Sequence, residues 1–215
     1  MSDFKLALFD MDGTLVKDRT IFVFAEKKGF MTELENLIHN SNMEFYKKSI
    51  EIAKSLKGLD SRELLEIAAN IPLNDNVEKV IKKLKEEDIQ TGIVTDSYLF
   101  VAEALKKRLG MDFAFANNLI IQENIVTGDL EIHNSNLIKD PHGDKIYSIC
   151  KSCVLDNLCE KLKIKPEQVL AIGDGKVDIC MLEKAGLGIA FKASGEVQKH
   201  ANYSINDMIE LLDYI

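Results

Sequence analysis

Long apolar runs are missing from this sequence of 215 residues. No stretch approaches the roughly 18 consecutive apolar residues that a membrane-spanning helix requires. The apolar run near the N-terminus is short and is interrupted by Asp10 and Asp12, so it does not match a signal peptide. Internal repeats and low-complexity segments are missing too. From these absences we expect a soluble cytoplasmic protein with no membrane partner.

Positive charge is in the minority. The sequence has 27 Lys and Arg residues against 35 Asp and Glu residues, which gives a formal net charge of -8 and a pI of about 5.1. Nucleic acids and anionic membrane surfaces attract basic proteins, so we expect neither as a partner. A small anionic substrate stays compatible, because a local site can be positive within an acidic protein.

Cysteine is scarce. The four cysteines all lie in the C-terminal third, at Cys150, Cys153, Cys159 and Cys180. In a cytosolic chain we expect free thiols rather than disulfides. The CKSC segment also allows a zinc or redox interpretation. Zinc would need further ligands from the remaining cysteines, His133 or His142, at spacings that match no known motif. The cysteines fall on apolar helical faces, where a thiol acts as a small hydrophobic group.

Apolar residues make up 46% of the sequence, which is enough for a folded core. The length fits one large domain, or one domain with an insert. Short apolar runs are typical of strands that are covered on both faces. Five such runs occur, at Lys5–Phe9, Ile89–Thr95, Phe113–Ala116, Val169–Gly173 and Leu187–Phe191.

Amphipathic helices lie between the predicted strands. One carries apolar residues at helical spacing, at Val77, Val80, Ile81 and Leu84. This alternation predicts a parallel sheet with helices on both sides. Residues 16–73 show only helical patterns, so we predict a helical cap above the carboxyl end of the first strand. Residues 118–128 have β-branched runs around a polar centre and predict a hairpin.

Polar side chains follow the predicted strands at the edge where parallel sheets bind ligands. Asp10, Thr95 and Asp174 each lie just beyond a strand, so three segments converge on one crevice. Asp12 and Asp178 add two further carboxylates, and the four carboxylates repel one another. Mg²⁺ prefers oxygen ligands and is often held by a few carboxylates with substrate phosphate oxygens. The pattern therefore predicts a Mg²⁺ site.

A magnesium site with these neighbours suits phosphoryl transfer. One aspartate can attack phosphorus while the other acts as an acid and then as a base. The charge on the transferring group needs a cation, which Lys151 would supply, and Thr95 could donate a hydroxyl hydrogen bond. Two other lysines, Lys139 and Lys145, are close in sequence. Lys145 could therefore supply the cation instead, and Lys151 could be an ordinary surface lysine.

Helical periodicity favours Lys151. Apolar positions in residues 146–153 and in residues 155–162 would lie on nearly opposite helical faces, because about nine residues turn a helix by about half a revolution. A break near Lys151–Ser152 resolves this conflict. Lys151 would then start a helix and face the crevice.

The motifs, taken in order, resemble those of the haloacid dehalogenase (HAD) superfamily. DMDGTL resembles its first motif, DxDGT, and IVTDS resembles the second. Lys151 would be the third motif and GDGKVD the fourth. Within the superfamily the chain is most similar to the phosphoserine phosphatase branch, through LGMDFAFANNLII, IVTGD and AIGDG. The resemblance covers nearly the whole chain and is least clear in the predicted cap.

The resemblance implies an α/β fold with a Rossmann-like, three-layer parallel-sheet HAD core. A helical cap of the C1 type would be inserted after the first strand. Residues 1–15 and 74–215 would form the catalytic core, and residues 16–73 the cap domain. Thr95 and Lys151 would hold the phosphoryl oxygens.

The resemblance also implies a Mg²⁺-dependent phosphatase that works through an aspartyl-phosphate. Asp10 would be the nucleophile. Asp12 would protonate the leaving group and later activate water. Mg²⁺ would be bound by the carboxylate of Asp10, the backbone carbonyl of Asp12 and Asp174, with Asp178 either close to the ion or behind its direct ligands.

The chain departs from phosphoserine phosphatases in its cap. In that branch a glutamate after the first motif binds the substrate ammonium, and Arg19 occupies the matching position here. A cap arginine that binds the substrate carboxylate aligns with Ile50. Val177 and Asp96 depart from the branch in the fourth and second motifs. Because Arg19 should repel an ammonium and favour an extra anionic group, we predict a substrate other than phosphoserine. A solvent-facing Arg19 is the alternative.

The favoured hypothesis is hydrolysis of a small phosphomonoester by a monomer or homodimer, with a small phosphorylated metabolite as partner. Three alternatives stay open. They are a phosphoserine phosphatase with altered cap recognition, a phosphoryl-transferring mutase, and a non-catalytic protein that binds a phosphate ligand.

Overall fold

The computed structural model describes residues 3–143 and 145–215 of the chain. Its strands are β1 (Leu6–Phe9), β2 (Gln90–Tyr98), β3 (Phe113–Gln122), β4 (Ile125–Glu131), β5 (Val169–Gly173), β6 (Leu187–Phe191) and β7 (Tyr203–Ile205). The five strands predicted from apolar runs are confirmed. The sequence analysis did not predict β7, whose three residues carry too little pattern.

Helices connect these strands. They are α1 (Thr20–Lys28), α2 (Met31–His39), α3 (Phe45–Lys54), α4 (Ser61–Ala69), α5 (Val77–Glu86), α6 (Leu99–Leu109), α7 (Lys151–Leu162), α8 (Ile179–Lys184) and α9 (Gly195–Gln198). Among the described residues, none of these helices is both long enough and apolar enough to cross a bilayer.

The strands form one sheet in the order β4-β3-β2-β1-β5-β6-β7. All neighbouring pairs are parallel except β3 and β4, which are antiparallel. The first strand lies in the middle, with Phe9 beside Ile93 of β2 and Ile172 of β5. The residues after Phe9 therefore emerge at the centre of the carboxyl edge, where open parallel sheets bind ligands.

Both faces of the sheet are covered. Leu6 and Leu8 pack into one apolar cluster with α7 and α8, whereas Ala7 and Phe9 pack into another with α5 and α6. Successive side chains of a strand point to opposite faces, so an unbroken apolar run is needed when both faces are buried. The predicted three-layer α/β arrangement is confirmed.

The segment between β1 and α5 contains helices α1 to α4. Helix α1 packs on α2 and α4, and α3 lies against β4. An isolated bridge joins Val16 to Leu73, where the chain leaves and re-enters the sheet region. The segment is helical, as its pattern predicts, and the division into a core and a cap domain stays a prediction.

The predicted hairpin is confirmed. Strands β3 and β4 pair antiparallel, with Gln122 beside Ile125. The two turn residues, Glu123 and Asn124, have φ values of 50° and 67°. Positive φ at both central positions gives the turn whose twist matches that of the flanking strands.

One expectation about the cysteines is wrong. Cys150 and Cys153 form a disulfide, with their Cα atoms 5.3 Å apart. Cys150 directly precedes α7 and Cys153 lies in its first turn, so their side chains meet at a separation that a disulfide can bridge. Cys159 and Cys180 are free and buried, as expected for small apolar side chains.

Candidate active site

Asp10 and Asp12 lie in the turn after the central strand. They are 4% and 9% exposed. The Asp10 N–H donates a hydrogen bond of 2.9 Å to the carbonyl oxygen of Ile172 in β5. This bond extends the sheet pairing by one residue, so it fixes Asp10 at the edge of the crevice.

Asn74, which follows the helical segment in sequence, stabilises this turn through hydrogen bonds. Its Nδ2 lies 3.0 Å from the carbonyl oxygens of Gly13 and Thr14 and 3.2 Å from that of Val16. Lys192 Nζ donates to the Asn74 Oδ1 at 3.0 Å. The sequence analysis missed Asn74, because no local pattern marks a side chain whose partner lies 60 positions away.

Three carboxylates meet beyond β1 and β5. Asp10, Asp174 and Asp178 each offer an oxygen atom, and these atoms all lie within 4.8 Å of one another. Thr14 Oγ1 donates to Asp174 Oδ1 at 3.1 Å. Gly13 has a φ of 91°, and a Cβ there would lie 2.6 Å from Asp174 Oδ2, so glycine is required in DMDGT. This group of oxygen donors fits a hard divalent cation.

The Asp12 carboxylate has different surroundings. It accepts a hydrogen bond of 2.6 Å from the hydroxyl of Thr20, the first residue of α1. Burial raises the pKa of Asp12 to about 7, although the Thr20 hydrogen bond opposes the shift. Near neutral pH the group therefore exists in both protonation states, which suits an acid and base. Thr20 is a further site residue that the sequence analysis missed.

Lys151 reaches the carboxylates from the start of α7. Its Nζ lies 2.6 Å from Asp10 Oδ1 and 2.5 Å from Asp178 Oδ1, and the side chain is fully buried. The helix begins at Lys151, as its periodicity predicts, and residues 145–150 form no helix. Lys145 lies elsewhere, with its Nζ 5.4 Å from the centre of the Phe45 ring. The geometry therefore places Lys151 at the carboxylates, rather than Lys145.

Asp178 uses both carboxylate oxygens within the fold. Its Oδ1 accepts from Lys151, and its Oδ2 accepts from the backbone N–H groups of Asp174 and Gly175, at 3.1 Å and 2.8 Å. These bonds fix the lysine and the loop after β5 together. Asp178 therefore positions its neighbours. Asp10 and Asp174 keep more of their carboxylate oxygen atoms available to a ligand.

Burial dominates the electrostatics of the site. It raises the pKa of Asp10 well above its usual range, and Asp178 and Asp174 add to this rise while Lys151 opposes it. Burial lowers the pKa of Lys151, but the charges of Asp10 and Asp178 outweigh it and leave this pKa raised. Lys151 is therefore cationic. A divalent cation among the carboxylates would favour their ionised forms.

Thr95 lies on the other side of the crevice, in β2. It is fully buried, and its Oγ1 accepts a hydrogen bond of 3.2 Å from the Ser97 N–H. The hydroxyl hydrogen is therefore left for another acceptor. Asn117 fixes the neighbouring wall, because its Nδ2 donates to the carbonyl oxygen of Asp96 at 2.6 Å and to Ser148 Oγ at 2.9 Å.

A cavity of about 330 Å³ opens from Asp12 between the sheet edge and the helical segment. Phe45, Ile52 and Tyr147 give part of its wall an apolar character, and the rings of Phe45 and Tyr147 are 5.0 Å apart. From α3 the cavity is lined by Phe45, Lys48, Ser49 and Ile52, and Ile50 is not among its lining residues. The alignment of Ile50 with the cap arginine of the branch stays a prediction.

Arg19 and Asp96 bring opposite charges to this cavity. Within residues 3–143 and 145–215, neither side chain has a hydrogen-bonded or ion-paired partner. Burial lowers the pKa of Arg19, but Asp96 and then Asp174 raise it by more, so the net pKa is raised. Arg19 therefore lines the cavity and is also exposed to solvent, so its contact with the substrate stays a prediction. The structure adds Asp96, whose charge the sequence analysis did not use.

The chain belongs to the haloacid dehalogenase-like hydrolase family, whose model matches residues 4–186. Within that family it lies in the phosphoserine phosphatase-like branch. The phosphoserine phosphatase of Methanocaldococcus jannaschii is 31% identical over 216 residues, which cover 98% of this chain and 97% of that protein.

Two further comparisons support this placement. The phosphoserine phosphatase of Archaeoglobus fulgidus is 32% identical over 205 residues, which cover 94% of this chain but 56% of that longer protein. A solved structure described as a phospho-aspartyl intermediate analogue of phosphoserine phosphatase matches with a TM-score of 0.83 and 30% identity, over 99% of each chain. The fold and the phosphatase class predicted from the motifs are therefore confirmed.

Proposed function

We propose that this protein is a Mg²⁺-dependent phosphatase that hydrolyses a small phosphomonoester through an aspartyl-phosphate on Asp10. One observation carries the proposal: Asp10 is held by Lys151, beside Asp174 and close to Asp12, at the carboxyl end of the central strand. The similar solved structure that is described as a phospho-aspartyl intermediate analogue supports the same chemistry.

Asp10 would attack phosphorus with the carboxylate oxygen that Lys151 does not bind. A bond forms between this oxygen and phosphorus as the ester bond to the leaving group breaks. Asp12 gives its proton to the departing alkoxide. In the second half, Asp12 takes a proton from water, which attacks phosphorus, and the bond to Asp10 breaks to release phosphate. Lys151 and the Thr95 hydroxyl would hold the phosphoryl oxygens.

The donor set fits Mg²⁺, because it consists of carboxylate oxygens. Asp10, Asp174 and the backbone carbonyl of Asp12 would hold the ion, with Asp178 fixing the loop around them. When bound, the ion would offset the negative charge of the carboxylates and of the phosphoryl group. The crowding of Asp10, Asp174 and Asp178 around one lysine supports this assignment.

Phosphoserine is the first substrate to test. The prediction that it is not the substrate has no support beyond the cap departures, and the relatives named above favour the alternative that the sequence analysis kept open. Arg19 and Asp96 together suit a zwitterion, with Arg19 facing the carboxylate and Asp96 facing the ammonium. The charge reversal at Arg19 would then be matched by an opposite charge at Asp96.

A second candidate is a phosphomonoester whose leaving group carries an anion but no ammonium. The positive charges of the cavity favour it, because Lys48 and Lys176 line the cavity together with Arg19 and could attract a further anion. Phosphoglycolate is the smallest probe of this class.

The experiment is phosphate release from phosphoserine, phosphoglycolate, sugar phosphates, nucleotides and an aryl phosphate, with and without Mg²⁺. We expect Mg²⁺-dependent release with phosphoserine ranked first. A higher kcat/KM for phosphoglycolate would select the second candidate. Transfer of the phosphoryl group without release of phosphate would indicate a mutase, and binding of a phosphate analogue without turnover would indicate a binding protein.

Substitution of Asp96 separates the two substrate classes. If Asp96 faces the ammonium, Asp96→Asn should raise the KM for phosphoserine about tenfold and leave that for phosphoglycolate unchanged or lower, because one charge-assisted hydrogen bond is lost. Arg19→Gln should raise the KM for both, since both carry a carboxylate. Equal effects of Asp96→Asn on the two substrates would contradict this assignment.

Asp12→Asn tests the acid and base. We expect kcat for phosphoserine to fall by about 10²- to 10⁴-fold, because the alkoxide leaves without a proton. An aryl phosphate needs no such proton, so the variant should release about one equivalent of the phenol in a burst and then turn over slowly. Equal losses for both substrates, without a burst, would argue against this role.

A further inference from the structure

A second group of ligand-type side chains lies outside the catalytic crevice. His142 Nε2 lies 2.5 Å from Glu183 Oε2, and His200 Nδ1 lies 2.5 Å from Glu183 Oε1. One donor atom from each of the three side chains lies within 4.8 Å of the other two. The two imidazole rings therefore converge on the two oxygens of a single carboxylate.

The three residues come from separate parts of the fold. His142 lies in the loop between β4 and α7, Glu183 in α8, and His200 two residues after α9. Their side chains are 32%, 37% and 31% exposed, so they are partly withdrawn from solvent and still open to an ion. Exposed ion pairs contribute little to stability, so pairing alone gives no strong reason for this convergence.

The chemistry of the group differs from that of the catalytic carboxylates. Two imidazole nitrogens and one carboxylate oxygen suit a borderline divalent ion such as Zn²⁺, with water in a fourth position. Mg²⁺ prefers an all-oxygen set such as Asp10 and Asp174. Each imidazole presents a ring nitrogen to a carboxylate oxygen at 2.5 Å, and a bound ion would be held by these nitrogens and the carboxylate in place of the direct contacts.

We propose that His142, Glu183 and His200 form a second metal site that binds Zn²⁺ or a similar transition-metal ion. The site does not depend on the proposed phosphatase activity. Its ion would tie the loop between β4 and α7 to α8. That loop carries Tyr147 and Ser148, which line the substrate cavity. The ion would thus stabilise the wall of the cavity without entering the chemistry.

Titration calorimetry with Zn²⁺ tests this site, with Mg²⁺ in large excess so that the carboxylate cluster is occupied. We expect one equivalent of Zn²⁺ to bind to the full chain and to raise its Tm. His142→Ala, His200→Ala and Glu183→Gln should each lower the affinity by at least about tenfold. His39→Ala is the matched control, because this exposed histidine lies outside the group and its Nδ1 is 2.8 Å from the Glu35 carbonyl oxygen of its own helix. This variant should bind Zn²⁺ like the unchanged protein.

Binding of Co²⁺ gives a second readout, through its visible absorption and through the histidine Cε1–H signals in NMR spectra. We expect the signals of His142 and His200 to shift while those of His39 and His133 stay in place. Equal Zn²⁺ affinity in His142→Ala, His200→Ala and the unchanged protein would overturn the proposal. Failure of the unchanged protein to bind Zn²⁺ in the presence of Mg²⁺ would overturn it too.

Discussion

Asp10→Asn is expected to lower phosphate release by at least about 10⁴-fold at saturating Mg²⁺. The amide cannot form the aspartyl-phosphate, whereas Lys151, Asp12 and the cavity all remain. The fold should survive, because the substitution removes one of three crowded carboxylates and leaves Lys151 paired with Asp178. The free energy of unfolding should therefore be unchanged or higher, measured by urea denaturation alongside the phosphate assay.

The control for this prediction is Asp213→Asn, since Asp213 is an exposed aspartate near the C-terminus. It should behave like the unchanged protein in both measurements. Peptide mass mapping after a rapid acid quench should place a phosphoryl group on Asp10 during turnover. Activity of Asp10→Asn within tenfold of the unchanged protein, or a phosphoryl group on another residue, would assign the nucleophile elsewhere.

Of the substitutions considered, Lys151→Met should lower the free energy of unfolding most. The substitution removes a fully buried cation that holds Asp10 and Asp178, and it leaves their charges unbalanced. Loss of one partner of a buried ion pair costs about 3–5 kcal/mol of unfolding free energy. Phosphate release should fall by about 10³-fold, because a donor to the phosphoryl oxygens is lost. Mg²⁺ should restore part of the stability by offsetting the carboxylates.

Lys145→Met is the matched control, because Lys145 lies six positions earlier and packs over the Phe45 ring. Its unfolding free energy should change by less than about 0.5 kcal/mol. If Lys151→Met does not fold, Lys151→Arg keeps the charge and should fold with lower activity, since the guanidinium is larger than the ammonium it replaces. Matching activities for Lys151→Met and Lys145→Met would show that Lys151 has no catalytic role.

The strands were predictable because their pattern is local. A parallel sheet covered on both faces needs short unbroken apolar runs, and Lys5–Phe9 and Val169–Gly173 show them directly. The position of the candidate aspartates in loops at the sheet edge was predictable too, since ligands bind beyond the carboxyl ends of such strands. The start of α7 at Lys151 was predictable for a similar reason, because two apolar faces could not belong to one straight helix.

Features that depend on distant partners were not predictable. Asn74 holds the turn after Asp12, yet nothing near it in sequence indicates this. Asp96 places a negative charge in the cavity that Arg19 lines, so the cavity suits a substrate with both charges. The two residues are far apart in sequence and share the cavity only because β2 brings Asp96 there. The Cys150–Cys153 disulfide was missed because the expected compartment, rather than the local geometry, set the expectation.

The sequence by itself determined the α/β fold, the family and the carboxylates of the candidate site. Each of these depends on residue types at fixed short spacing, such as DMDGTL after an apolar strand. The tertiary structure alone decided which charges share the cavity and which side chains meet at the second group of ligands. His142, Glu183 and His200 are separated in sequence, so their convergence required the loop of His142 and the turn of His200 to pack beside α8. The reason is physical. The reacting groups of a motif are close in sequence, so their spacing can be read directly. The groups that select a substrate or a metal ion are distant in sequence, and only folding brings them together.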